Sequence, residues 1–210
     1  MAILEKISAA LQAGKAKDVA ALVQEAIDSG VAAKDILDNG LLAGMSIIGT
    51  KFKNNEVYVP EVLIAARALN KGTELLKAKL TEEGVQAIGK AVICTVKGDL
   101  HDIGKNLVKM MLEGTGFEVI DLGVDVGEDK IVEAVKEHAP QVVLLSALLT
   151  TTMNQCQTII EALKAAGVRE NVKVMVGGAP VTQGFADQIG ADAYTADAAS
   201  AAEVAKSFVA

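Results

Sequence analysis

The residues with the most chemistry in this chain lie in the stretch Val96–Asn106, where His101 stands between Asp99 and Asp102, with Gly98 and Gly104 on either side. An imidazole oriented by a carboxylate has a fixed tautomer and a more basic second nitrogen, which makes it a good metal ligand. His101 with Asp99 is that pair. The two glycines remove side chains from the loop, so a bulky partner can approach its backbone. Asp102 can serve the same site or cap the helix that follows it.

Two other runs carry ligand-type residues. Ser146-Ala147-Leu148-Leu149-Thr150-Thr151-Thr152-Met153 is rich in hydroxyls, and Gly177-Gly178-Ala179-Pro180 opens a slot without side chains. Taken singly, each threonine can simply cap the next helix, and the glycine pair can be an ordinary tight turn. His138, ahead of Ala139-Pro140, is expected to interact with the end of its own helix.

The elements that must position these runs follow from periodicity. Ala91–Val96 is apolar and branched, as in a buried strand, and Asn106–Glu113 has a helical period, so the histidine lies on a strand-to-helix loop. In an open parallel sheet such loops gather at the carboxyl ends of the strands, where ligands bind. Strands are expected near 90–96, 117–121, 141–146, 172–176 and 192–194, with helices near 103–114, 128–138, 153–166, 181–189 and 197–208. This alternation predicts a doubly wound, Rossmann-like or flavodoxin-like five-stranded parallel sheet. Ahead of it, residues 1–80 carry four amphipathic helical stretches that read as a bundle, and the polar stretch 81–89 reads as a linker to an α/β domain at 90–210.

Composition narrows the function. The 210 residues are 51% hydrophobic with a formal charge of −7 and interspersed cations, which argues against a nucleic-acid partner. No stretch approaches a membrane span and the start lacks a cationic leader, so a cytoplasmic protein without a membrane partner is expected. Cys94 and Cys156 have neither metal nor disulfide spacing and are expected to be core thiols.

The D-x-H-x-x-G pattern at Asp99–Gly104, followed by Asp121-Leu122-Gly123, the Ser146-to-Thr152 run, Gly177-Gly178 and Tyr194-Thr195-Ala196-Asp197-Ala198, resembles the cobalamin-binding domain of methionine synthase and of the corrinoid proteins of methanogenic and acetogenic methyltransferase systems. The stretches Asn39–Phe52 and Val57–Leu63 are similar to the helical cap of the same family. The resemblance implies a cobalamin or related corrinoid, base-off, with His101 as the lower cobalt ligand, Asp99 as its hydrogen-bond partner and Thr152 extending the relay. Methionine synthases carry serine at that last place.

It further implies that Gly98, Leu100, Asp102, Ile103 and Gly104 surround the histidine. Ser146, Leu148, Leu149, Thr150, Met153, Gly177, Gly178, Ala179, Tyr194, Asp197 and Ala198 would line the slot for the nucleotide tail. On the cap, Asp38, Met45, Phe52, Val59, Val62 and Leu63 would face the upper side, although a bundle-core role is equally open for Val62 and Leu63. Bundle and sheet leave no room for a barrel of about 250 residues that binds a methyl donor, and there is no Cys/His cluster for a thiol-activating zinc. The implied function is therefore a methyl carrier, served by a substrate-specific methyltransferase, an acceptor methyltransferase using a thiol or tetrahydrofolate-type acceptor, and a reductive activator. The alternative is a cobalamin-binding sensor without methyl transfer.

Overall fold

A computed structural model describes residues 2–210; Met1 lies outside them. The chain divides into two compact units, one reaching to Ala87 and including 114–116, the other formed by Ile88–Glu113 and Phe117–Ala210.

The first unit is helical. Helices α1 (Ala2–Gln12) and α2 (Ala16–Asp28) bury Ile7, Leu11, Val19 and Val23, the apolar positions of their 3.6-residue period. The single helix expected through Ile36 and Ile48 is instead α3 (Ala33–Asp35), a π-helical stretch (Ile36–Leu42) and α4 (Ala43–Lys53). Ile36 and Leu41 are both fully buried and five positions apart, a spacing that one face of a π turn accommodates and an α turn does not. Helix α5 (Val59–Glu82) has Pro60 in its first turn, where no amide hydrogen is needed, and the Glu61 carboxylate accepts the Tyr58 N–H at 3.0 Å.

The second unit is a five-stranded, all-parallel sheet, β1 (Lys90–Thr95), β2 (Glu118–Asp121), β3 (Val142–Ser146), β4 (Lys173–Gly177) and β5 (Ala193–Tyr194), in the order β2-β1-β3-β4-β5. Each crossover is helical: α6 (Ile103–Glu113), α7 (Glu128–His138), α8 (Asn154–Ala165) and α9 (Gln183–Ile189), with α10 (Ala198–Ser207) closing the chain. All five strands and five helices fall within two residues of the positions read from the sequence. The central strands are buried along nearly their whole length, as a sheet covered on both faces requires. Cys94 and Cys156 are fully buried in this core, and burial pushes both thiols up to about 12.

The strand order places a topological switch point between β1 and β3. From there the chain leaves β1 toward β2 on one side and β3 toward β4 on the other, so the β1–α6 and β3–α8 loops part above a crevice at the carboxyl edge. The histidine loop and the hydroxyl-rich run are these two loops. Among the described residues no helix is long and apolar enough to cross a membrane.

Candidate functional site

The site is built around a carboxylate that is fully enclosed. Asp99 has no exposed surface, and both its oxygens are saturated. Oδ1 accepts the His101 ring Nδ1–H at 2.7 Å and the His101 amide at 3.1 Å. Oδ2 accepts the amides of Leu148 at 2.8 Å and Leu149 at 3.2 Å. The Thr152 hydroxyl lies 2.9 Å from Asp99 Oδ2 and 2.9 Å from the Leu149 carbonyl, and its single proton serves one of them at a time. Asp99 thus stitches the β1–α6 loop to the β3–α8 loop across the crevice. Burial by itself would raise its pKa, but the donors from His101, Leu148 and Thr152 reverse that and hold the carboxyl well below the usual range.

With a carboxylate accepting at Nδ1, the neutral ring carries its proton there and leaves the Nε2 lone pair bare. Nε2 has no protein partner among the described residues, and the His101 side chain is 52% exposed. The Thr95 hydroxyl donates to the His101 carbonyl at 2.8 Å and holds the backbone beneath the ring. Exposed apolar side chains flank the imidazole in sequence and across the crevice: Leu100 at 72%, Ile103 at 76%, and Leu148 and Leu149 at 40% each.

This donor set fits only a particular kind of metal. No group of three or more His, Cys, Asp or Glu side chains among the described residues could hold a bare ion. One free nitrogen on a loop that carries exposed apolar side chains fits a metal that arrives with its other ligands already supplied by an apolar macrocycle. A corrinoid is such a group.

The remaining sequence candidates fall as follows. Gly98, at φ +81, makes the turn before Asp99, and Gly104 has open space where a side chain would be. The Asp102 carboxylate accepts the Asn106 side-chain amide at 3.0 Å at the start of α6. Thr152 is buried against Asp99, while the α8 N-cap is Met153 and has no side-chain cap, so the threonines do not act as caps. Gly177 ends β4 opposite Ser146. Gly178 is at φ +130, and a Cβ there would lie 1.9 Å from the Ala147 carbonyl oxygen, so only glycine fits. Leu148, Leu149, Thr150 and Ala179 are exposed, and Tyr194 is half-buried. Asp197 caps α10 by accepting the Ser200 amide at 2.8 Å, beside the buried Ala198. Ser146, Gly177, Gly178, Tyr194 and Asp197 therefore share the carboxyl edge with the histidine loop.

In the helical unit, Met45 and Val62 are buried at 1% and 0% exposure, as bundle-core residues are. Leu63 is 42% exposed, Phe52 and Val59 are half-buried, and Asp38 is ion-paired with Lys34. His138 sits in the last turn of α7, 4.0 Å from the Glu137 carboxylate.

Two features escaped the sequence reading. Lys105, 3% exposed, donates to both Asp121 oxygens at 2.8 and 2.7 Å and to Asn106 Oδ1 at 2.7 Å. Burial would raise the Asp121 carboxyl, but Lys105 and the Gly123 amide hold it low. The signal was available: Lys105 lies on the same helical stripe as Val108 and Leu112. Asp125, in the loop after β2, accepts the Gly98 amide at 2.7 Å and donates its own amide to the Asp99 carbonyl at 3.0 Å.

Known proteins match the chain over both of its units. The family described as "B12 binding domain" matches residues 89–205, and a second family of the same description matches residues 3–77. The trimethylamine corrinoid protein of Methanosarcina barkeri is 48% identical over 176 residues, covering 82% of this chain and 81% of the relative. Dimethylamine corrinoid protein 1 of Methanosarcina acetivorans is 42% identical over 209 residues, covering 99% and 98%. Among solved structures, a chain of the methanol:cobalamin methyltransferase complex from Methanosarcina barkeri superimposes with a TM-score of 0.89 at 30% identity, over 99% of this chain and 79% of that one. A cobalamin-binding protein from Desulfitobacterium hafniense superimposes with a TM-score of 0.81 at 33% identity, over 99% and 98%.

Proposed function

Because the chain belongs to the family of B12-binding corrinoid proteins, we propose that it is a methyl carrier that binds a corrinoid base-off with His101 Nε2 as the lower cobalt ligand. The observation that carries the proposal is the saturated Asp99 carboxylate, which fixes the His101 proton on Nδ1 and presents a bare Nε2 amid exposed leucine and isoleucine side chains. The bound corrinoid supplies a cobalt centre that accepts a methyl group from a donor and yields it to an acceptor.

The residues of the chain do the rest. Asp99 orients the imidazole and makes Nε2 more basic while it ligates. When Nε2 is released, the same hydrogen bond keeps the ring in place beside Asp99, ready to ligate again. Thr152 supplies a polar neighbour that adjusts Oδ2. Leu100, Ile103, Leu148 and Leu149 exclude water from the lower face. Gly177 and Gly178 leave a slot beside Ser146, which suits a displaced nucleotide tail, with Thr150, Ala179, Tyr194 and Asp197 at its rim.

In the same reading the helical unit, expected at residues 1–80, supplies the cap residues Phe52, Val59 and Leu63, and of the linker expected at 81–89 the first two residues belong to the last turn of α5. Such a carrier would need three partners, a substrate-specific methyltransferase, an acceptor methyltransferase using a thiol or tetrahydrofolate-type acceptor, and a reductive activator, all suited to the cytoplasm. The names of the tri- and dimethylamine relatives support a methylated amine as the first donor to test. The proposal is tested by incubating purified protein with hydroxocobalamin, removing free corrinoid by gel filtration and recording the absorption spectrum, with His101→Ala alongside. Stoichiometric retention and a spectrum that changes in the variant are expected. Retention with the same spectrum in both proteins would rule out His101 as the ligand.

A further inference from the structure

We propose that Asp125 is a positioning residue for the His101 loop, setting how completely Nε2 engages the cobalt of a bound corrinoid; this rests on the lower-ligand reading above. Asp125 belongs to the loop between β2 and α7, more than twenty residues beyond the histidine, and does not touch the ring. Its backbone is at φ +54, in the left-handed region, where side chains other than those of glycine, asparagine and aspartate are rare.

That conformation turns two of its groups toward the histidine loop. The Asp125 amide donates to the Asp99 carbonyl at 3.0 Å, and its Oδ1 accepts the Gly98 amide at 2.7 Å. Gly98 and Asp99 are therefore gripped from outside the crevice, while the Asp99 carboxylate is gripped from inside by Leu148, Leu149 and Thr152. The Thr95 hydroxyl fixes the far end at the His101 carbonyl. Among the described residues no other group accepts from the Gly98 amide. Without the Asp125 carboxylate the Gly98 amide loses its acceptor, and the turn into Asp99 is held only by the Asp99 amide on the Val96 carbonyl at 3.1 Å and by the Asp125 amide, so the loop is looser and the ring two residues on with it.

Asp125 is exposed, so its charge has no core to stabilise. A glycine would satisfy the backbone without strain but offers no acceptor. An asparagine offers both a tolerated conformation and a neutral acceptor. An alanine offers no acceptor and is strained at this φ, so the three substitutions together separate the backbone contribution from that of the carboxylate.

The experiment loads each protein with cobinamide reduced to the cobalt(II) state. Cobinamide carries no base of its own, so any axial nitrogen must come from the protein. The unpaired electron of cobalt(II) lies along the axis normal to the macrocycle, and an axial nitrogen of nuclear spin one splits each of its resonance lines into three. Wild type is expected to show the splitting and His101→Ala to lose it. In Asp125→Ala the ratio of ligated to unligated cobalt is expected to fall about tenfold, the size of one lost hydrogen bond to a charged acceptor. Asp125→Asn should retain the splitting, and Asp125→Gly should fall between the two.

Urea midpoints of the corrinoid-free proteins are measured alongside, because a residue that only stabilised the fold would move the midpoint and leave the splitting intact. Full wild-type splitting in folded, loaded Asp125→Ala and Asp125→Gly overturns the proposal; if the alanine variant does not fold, the glycine variant decides. If wild type itself shows no splitting that depends on His101, the lower-ligand reading fails and this inference falls with it.

Discussion

Replacing Asp99 with asparagine removes one charge and changes no volume, yet it should disable the site. In the folded protein the Asp99 oxygens accept from four nitrogens, the His101 ring and the amides of His101, Leu148 and Leu149, and the Thr152 hydroxyl lies in range. An asparagine has one oxygen to offer, and its NH2 must face donors wherever it is placed. With the NH2 at the Oδ2 position, two backbone amides meet a donor. With it at the Oδ1 position, the imidazole can remain bonded only by moving its own proton to Nε2, which removes the lone pair available to a metal.

Either way at least one buried donor is stranded and charged acceptors become neutral, a loss of roughly 3 kcal/mol. Urea unfolding followed by far-ultraviolet circular dichroism should therefore show a midpoint lower by about 1.5 M, taking a slope of about 2 kcal/mol per M. The pH dependence follows from the depressed Asp99 carboxyl. A carboxylate that titrates lower when folded contributes fully above its unfolded value, near 3.9, and its contribution is lost as the pH falls through the folded value. The gap between wild type and variant should stay constant from about pH 8 to about pH 5 and narrow below about pH 4. A variant within ~0.5 kcal/mol of wild type, or a gap that widens on acidification, would refute the enclosed-carboxylate account.

Two other substitutions probe the supports. Gly178→Ala puts a Cβ 1.9 Å from the Ala147 carbonyl oxygen at φ +130, so the β4–α9 loop must shift; a loss of about 3 kcal/mol or more is expected in thermal melting, together with reduced corrinoid retention. Lys105→Met leaves the Asp121 carboxylate, 19% exposed, with only Lys109 at 3.5 Å and the Gly123 amide, which should cost about 2 kcal/mol by urea titration after allowing for its partial exposure. The double variant with Asp121→Leu should recover most of that loss, since an apolar pair of similar size replaces the ion pair.

The fold was legible because its signals are local. Branched apolar runs such as Ala91–Val96 and helical stripes such as Leu107-Val108-Met111-Leu112 announce themselves within one element. The π turn over Ile36–Leu42 did not, because its extra residue shows only when the chain is set against neighbouring helices. The site was legible in so far as its residues cluster in short runs at strand ends: Asp99 and His101 sit two apart, and Thr152 lies in a conspicuous row of hydroxyls. Lys105 with Asp121 and Asp125 with Gly98 pair across 16 and 27 positions: the helical stripe marks Lys105 as inward-facing, but a single sequence does not name either residue's partner.

These hidden pairs explain how a loop of small residues can hold an imidazole steady while leaving it free to let go. Asp99, with no exposed surface and its oxygens saturated, has no room to move; the ring, half-exposed and held at a single nitrogen, has. On the proposed lower-ligand role, a stiffer grip on the ring itself would keep Nε2 from releasing its ligand, and a softer grip on the carboxylate would let the imidazole drift with it. The stiffness therefore belongs beneath Asp99, in the contacts from Leu148, Leu149 and Asp125, and substitutions there should change how tightly Nε2 ligates before they change whether the corrinoid binds at all.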